Sequence, residues 1–158
     1  ITHFICELAQ IMLSLANVNK TVEEVRQHLE NGQALAKFED MVQAQGGDLK
    51  DLYRPVNVDH VVEIPAQETG VISALPAMEF GLYAMSLGAG RAVKSDALDY
   101  ETGIVFEKKV GDSVQKGEIV AKVYTNGKIS PQLVTDFQKY VKINDRVKSL
   151  REIIEIIS

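Results

Sequence analysis

From Leu87 to Val123 the sequence runs LGAGRAVKSDALDYETGIVFEKKVGDSVQKGEIVAKV, the densest turn chemistry in the chain. Gly88 and Gly90 follow an apolar run of helical spacing, where a residue without Cβ can take the left-handed conformation that closes a helix. They read as a stop followed by a sharp exit. From Arg91 the period changes. Ala92-Val93, Ile104-Val105-Phe106, Val110, Val114 and Ile119-Val120-Ala121 are short apolar runs cut by Gly103, Gly111-Asp112 and Lys116-Gly117, which is the punctuation of β-strands. A chain with this centre has to join helices to a set of short strands, so the fold class expected is α+β.

Upstream, Ile1, Phe4, Ile5, Leu8, Ile11, Met12 and Leu15 recur at helical spacing and predict a helix to about Ala16 with one broad apolar face. That face is apolar from its first residue and has no cap before it, which suggests that the natural chain extends upstream. Thr21 followed by Glu24 predicts a capping box at the start of a second helix that ends near Asn31-Gly32. Leu35, Phe38, Met41 and Val42 mark a third, closed by Gly46-Gly47. Three short amphipathic helices cannot bury all their apolar faces against one another, so they read as the remnant of a larger helical domain. Asp48 to Pro55 is polar and reads as an irregular connection. The expected organisation is a helical segment over 1–47, a linker over 48–56 and an α+β domain over 57–158.

Within that domain, Val58, Val61-Val62 and Ile64 begin a strand that Pro65 ends, and Glu68-Thr69-Gly70 turns into Val71-Ile72. Pro76 suits the first turn of a helix carrying Met78, Leu82, Met85 and Leu87. Ser130-Pro131 opens a further helix lined by Leu133, Val134, Phe137, Tyr140 and Val141. The tail stays open between two forms: Val147, Leu150, Ile153, Ile154 and Ile157 have helical spacing, yet their β-branched pairs suit an extended strand.

Composition narrows the function classes. With 46% hydrophobic residues over 158 positions the chain can fill a core, and a net charge of −5 gives no basic field for nucleic acid or an anionic membrane. No apolar run approaches the roughly 20 residues that a bilayer requires. The single cysteine, Cys6, lies on an apolar helical face and reads as a small buried hydrophobe, which fits a cytoplasmic protein.

With its flanks, LYAMSLGAGRAVKSDALDYETGIVFEKKVGDSVQKGE resembles the C-terminal domain of pyrimidine-nucleoside phosphorylases and the related thymidine phosphorylases. The match is carried by Leu87-Gly88-Ala89-Gly90-Arg91, Lys94, Leu98-Asp99, Gly103, Lys109-Val110-Gly111-Asp112 and Lys116-Gly117-Glu118. It extends upstream through FEDMVQAQGG, Phe38 to Gly47, and so covers nearly the whole chain. The resemblance implies a barrel-sandwich hybrid of the α/β-hammerhead type with an inserted helix, forming the C-terminal part of a homodimeric salvage enzyme. Such an enzyme cleaves uridine, deoxyuridine or thymidine with inorganic phosphate, releasing the free base and ribose or deoxyribose 1-phosphate, and needs no cofactor. In the family an Arg and a Lys hold the base, and a Ser/Thr/Gly-rich loop with Lys holds the phosphate, all in an upstream α/β domain. Those motifs do not occur in this sequence, so no catalytic, cofactor-binding or metal residue is assigned. The implied role is that of a mobile domain that shapes the cleft as it closes.

The other candidate chemistries are weaker. Gly88-Ala89-Gly90-Arg91-Ala92-Val93 starts like a dinucleotide fingerprint, but Val93 stands where the third glycine belongs and a helix precedes it instead of a strand. Lys109-Val110-Gly111-Asp112 and Lys116-Gly117-Glu118 are similar to turns of lipoyl and biotinyl carrier domains, yet no Met-Lys-Met triplet is present, and Lys94-Ser95-Asp96 is a poor imitation. Asp96 and Asp99 could form a carboxylate pair, although turn-making suits them better. His3, His28 and His60 lie in separate segments with no metal-ligand spacing. A carrier domain and a non-catalytic structural domain remain the alternative readings.

Overall fold

The computed structural model describes residues 1–91 and 93–146. The chain separates into two compact units, one reaching from Ile1 to Pro55 and the other beginning at Val56. The reading of the tail from Val147 to Ile157, and that of Ala92, lie outside the described residues.

The first unit holds α1 (Thr2–Leu15), α2 (Val22–Glu30) and α3 (Gln33–Ala44). Cys6 is the fully buried side chain of α1. At the start of α2 the capping box is complete, since Thr21 Oγ1 accepts from the Glu24 N–H and Glu24 Oε2 accepts from the Thr21 N–H. These bonds, with Lys20 alongside, draw the Glu24 carboxyl down to a pKa of about 2. Gly32 at φ 82° and Gly46 at φ 83° occupy the corners that end α2 and α3. The polar stretch expected to be irregular instead forms a short 3₁₀ turn over Leu49–Tyr53, because Asp48 Oδ1 caps it by accepting from the Lys50 N–H.

The second unit is built on two three-stranded antiparallel sheets. In the first, β5 (Ile119–Thr125) lies between β1 (His60–Pro65) and β3 (Gly103–Phe106). In the second, β2 (Gly70–Ala74) lies between β4 (Ser113–Val114) and β6 (Lys142–Asn144). The fold class is therefore α+β. The register of β1 on β5 shifts between Ile64 and Pro65, where the ring nitrogen has no hydrogen to give the ladder. Ile64 and Ile72 join Val114, Val120 and Val123 in a single core closed by α4 (Ala77–Ala84) and α5 (Leu133–Gln138).

Aromatic contacts fix both helices. Phe80 of α4 lies with its ring centroid 4.8 Å from Phe137 of α5 and 4.9 Å from Phe106 of β3, the latter edge-on. Tyr83 donates its hydroxyl to the Leu133 carbonyl at 2.9 Å, and burial pushes its pKa up to about 12. Three expectations about helix ends shift, the first because α5 begins at Leu133 with Gln132, not Ser130, as its N-cap residue. Pro76 precedes α4 as its N-cap residue. α5 stops at Gln138, short of Tyr140 and Val141, because the chain must turn there to bring β6 alongside β2.

Candidate functional site

The residues that the sequence singles out gather at the end of α4. The helix widens into a π turn over Met85–Ala89, and Gly88 breaks it at φ 108°. The Gly88 carbonyl accepts from the Asp99 N–H at 3.0 Å. Gly90 is extended, at φ −146°, so of the two glycines only Gly88 uses the left-handed region. Gly90 is needed for space: a Cβ there would sit 2.9 Å from Met85 Cγ. Val93, expected in a short strand, is exposed in a loop and donates its N–H to Asp96 Oδ2 at 3.0 Å.

Asp99 holds that loop to the strands. Its Oδ1 accepts from the Glu101 N–H at 3.0 Å, and its Oδ2 accepts from Thr102 Oγ1 at 2.7 Å and Asn126 Nδ2 at 2.9 Å. The bond from Thr102, followed by that from Glu101, holds its carboxyl below the usual carboxylate range. Asn126 in turn accepts from the Asp59 N–H at 2.9 Å, and Glu101 Oε2 accepts from the Asn57 N–H at 3.0 Å. Three segments, residues 57–59, 99–102 and 126, are thus laced together by the side-chain oxygens of Asp99, Glu101 and Asn126. The turn-making reading of Asp96 and Asp99 describes what their oxygens do.

Lys109–Asp112 and Gln115–Glu118 repeat one geometry. In each, the acid at the fourth position accepts from the N–H of the first residue, at 2.7 Å for Asp112 and 2.9 Å for Glu118, and its own N–H returns to the first carbonyl. The third residue is glycine, Gly111 at φ 99° and Gly117 at φ 87°. Each glycine N–H then reaches a carbonyl at or beside a strand, Gly111 to Ile72 of β2 and Gly117 to Ala66 just past β1. The same residue returns its own N–H to the turn acid's carbonyl, at 2.9 Å from Ile72 to Asp112 and 2.8 Å from Ala66 to Glu118. These turns carry the chain from β3 across to β4 and from β4 back to β5, so they cross between sheets. A carrier lysine needs the tip of a two-stranded hairpin, and Lys116 sits on a crossing whose N–H is tied to Thr69 Oγ1 at 3.0 Å. The backbone-capping role of Asp112 and Glu118 escaped the sequence reading. Its signal is the repeated glycine–acid pair at the third and fourth positions of two turns three residues apart.

Among the described residues no three His, Cys, Asp or Glu side chains converge to hold a metal. An open depression of about 450 Å³ lies against the β2–β4 pair, lined by Thr69, Ser113, Gln115 and Glu118. Its one carboxylate, Glu118, is already paired with Lys108 and bonded to the Gln115 N–H. No helix among the described residues is long and apolar enough to cross a membrane.

Residues 71–144, which span these turns and the π turn, match the family described as the pyrimidine nucleoside phosphorylase C-terminal domain. A pyrimidine-nucleoside phosphorylase of Bacillus subtilis (strain 168) is 37% identical over 96% of this chain and 36% of its own length. One from Staphylococcus haemolyticus (strain JCSC1435) is 38% identical over 99% of this chain and 35% of its own length. A third, from Staphylococcus aureus (strain bovine RF122 / ET3-1), is 32% identical over the full chain and 38% of its own length. The chain therefore spans little more than a third of the relatives it matches, and over that span it is similar to the C-terminal portion of pyrimidine-nucleoside phosphorylases.

Proposed function

We propose that this chain serves a pyrimidine-nucleoside phosphorylase, in which a pyrimidine nucleoside and inorganic phosphate give the free base and a pentose 1-phosphate. The observation that carries this is the alignment of nearly the whole chain with proteins of that name, through the turns and the α4 terminus that define its second unit. In such a reaction negative charge collects on the departing pyrimidine, and fixed cationic donors stabilise it. In this reading the cationic donors and the phosphate cradle lie in the part of the relatives' length that this chain does not span.

The role left to this portion is to form a mobile wall of the cleft, positioned through the segments that Asp99 and Asn126 lace together. In this reading the two sheets and their crossings form the barrel-sandwich hybrid of α/β-hammerhead type. Residues 1–47 are a helical piece joined by 48–56 to the domain that follows. The full-length enzyme is a cytoplasmic homodimeric pentosyltransferase that uses phosphate as co-substrate and no cofactor.

The test is phosphate-dependent release of uracil and thymine, measured for this chain alone and for the chain joined to the upstream two-thirds of a relative. Activity is expected only in the joined protein. Release by the 158-residue chain alone would place the chemistry within it, and a joined, folded but inactive protein would refute the assignment.

A further inference from the structure

The sequence contains the Asn-Gly pairs Asn31-Gly32 and Asn126-Gly127, and the structure treats them differently. Asn-Gly is the pair most open to spontaneous deamidation, because glycine puts no side chain in the way of its own backbone nitrogen. That nitrogen attacks the Asn Cγ and forms a new C–N bond. The bond from Cγ to Nδ2 breaks and ammonia leaves. Water then opens the five-membered succinimide at either carbonyl, giving aspartate or isoaspartate. The reaction requires the glycine N–H to be free and the Asn side chain to swing over it.

We propose that Asn31 is the deamidation site of this protein and that the fold holds Asn126 closed against the same reaction. At Asn126 every group the reaction needs is engaged. The Gly127 N–H, the nucleophile, donates to Thr125 Oγ1 at 2.9 Å, and Thr125 is fully buried. Oδ1 accepts from the Asp59 N–H and Nδ2 donates to Asp99 Oδ2, both at 2.9 Å, so the amide is pinned at both ends. Gly127 itself lies against the Leu87 carbonyl, where an added Cβ would come within 3.4 Å. Reaction there requires at least three hydrogen bonds to break together. Having to lose them together slows the reaction at this site by at least about tenfold.

Asn31 sits at the corner between α2 and α3 with open space around Gly32. Its Oδ1 accepts from the Gln33 N–H at 3.0 Å within the same exposed corner, so one local bond holds this amide where two long-range bonds hold that of Asn126. The Gly32 N–H reaches the Leu29 carbonyl only at 3.4 Å, so little holds the nucleophile back.

The experiment ages the folded chain at mildly alkaline pH and follows both sites by tryptic peptide mass spectrometry, with isoaspartate detection. Cleavage after Arg26 and Lys37 isolates Asn31, and cleavage after Lys122 and Lys128 isolates Asn126. Asn31 is expected to convert at least about tenfold faster than Asn126. The two rates should draw together when the chain is aged in urea, which separates protection by the fold from local sequence effects. T125V, which frees the Gly127 N–H, should speed Asn126 alone. Equal rates in the folded chain, faster loss of Asn126, or an undiminished gap in urea would overturn the proposal.

Discussion

Glycines in the second unit differ in whether their backbone requires them, and the distinction predicts mutations of opposite sign. Gly111 and Gly117 have open space where a Cβ would go, so their requirement is conformational alone: φ of 99° and 87°. Replacing either with Val should cost about 1–3 kcal/mol in thermal or urea melts. Gly103 has equal room and no positive φ, so Gly103→Ala should be neutral or stabilise by up to about 1 kcal/mol by restricting the unfolded chain. Melts in which all three behave alike would contradict the assignment. Asp99 makes a second prediction. Its folded pKa is lowered by the Thr102, Glu101 and Asn126 donors, so its stabilisation is present above the ordinary carboxylate range and lost as pH falls through the folded value. Asp99→Asn turns a charged acceptor facing the Asn126 Nδ2 into an amide. The variant should be less stable at neutral pH, and its deficit should narrow as the parent protonates in acid.

Among the elements, α2 owes most to its cap. It is nine residues long, below the length at which a helix holds by itself in water, and none of its side chains is fully buried. Thr21→Ala removes the acceptor for the Glu24 N–H and breaks the reciprocal box. A loss of about 1 kcal/mol in the helical unit is expected, visible as earlier melting of far-ultraviolet ellipticity. An unchanged melt would show that packing against α1 and α3 alone holds the helix. The sheet crossings work differently, since each turn is anchored by a pair of backbone bonds to a strand it does not directly continue. Gly70 shows how tightly that arrangement is closed: a Cβ there would fall 2.7 Å from Ile143 Cγ2 and 2.8 Å from the Asn144 carbonyl, inside the β2–β6 pairing.

For the molecule as a whole, the notable surface is on the first unit. Ile1, Ile5, Leu8, Met12 and Leu15 alternate four and three residues apart, the spacing of a helix seam, and all are exposed, Met12 at 69% and Leu15 at 81%. The isolated chain is therefore expected to self-associate through α1. Sedimentation across a concentration range should show a rising average mass, which Leu8→Lys with Met12→Lys abolishes. A monomer at every concentration would contradict this.

The sequence by itself determined the local grammar. The Thr21–Glu24 box, the apolar periods of α1 and α3, the corners at Gly32, Gly46 and Gly88 and the turns at Gly111 and Gly117 all depend on residues within four positions of one another, and short-range chemistry makes them readable. The family resemblance was legible for the same reason, because the α4 terminus and the paired turns occupy one continuous stretch. Tertiary structure alone decided matters that depend on distant partners. Gly90 is required by its distance to Met85, not by its own dihedrals. α5 stops before Tyr140 because β6 must reach β2, and Asn126 matters because Asp59, just before β1, and the Asp99 loop both meet its amide from far upstream in the sequence. Helical spacing shows which side of α1 is apolar, but it does not show which part of that face neighbouring helices cover. Only the packed unit shows that Cys6 is buried while Met12 and Leu15 face solvent.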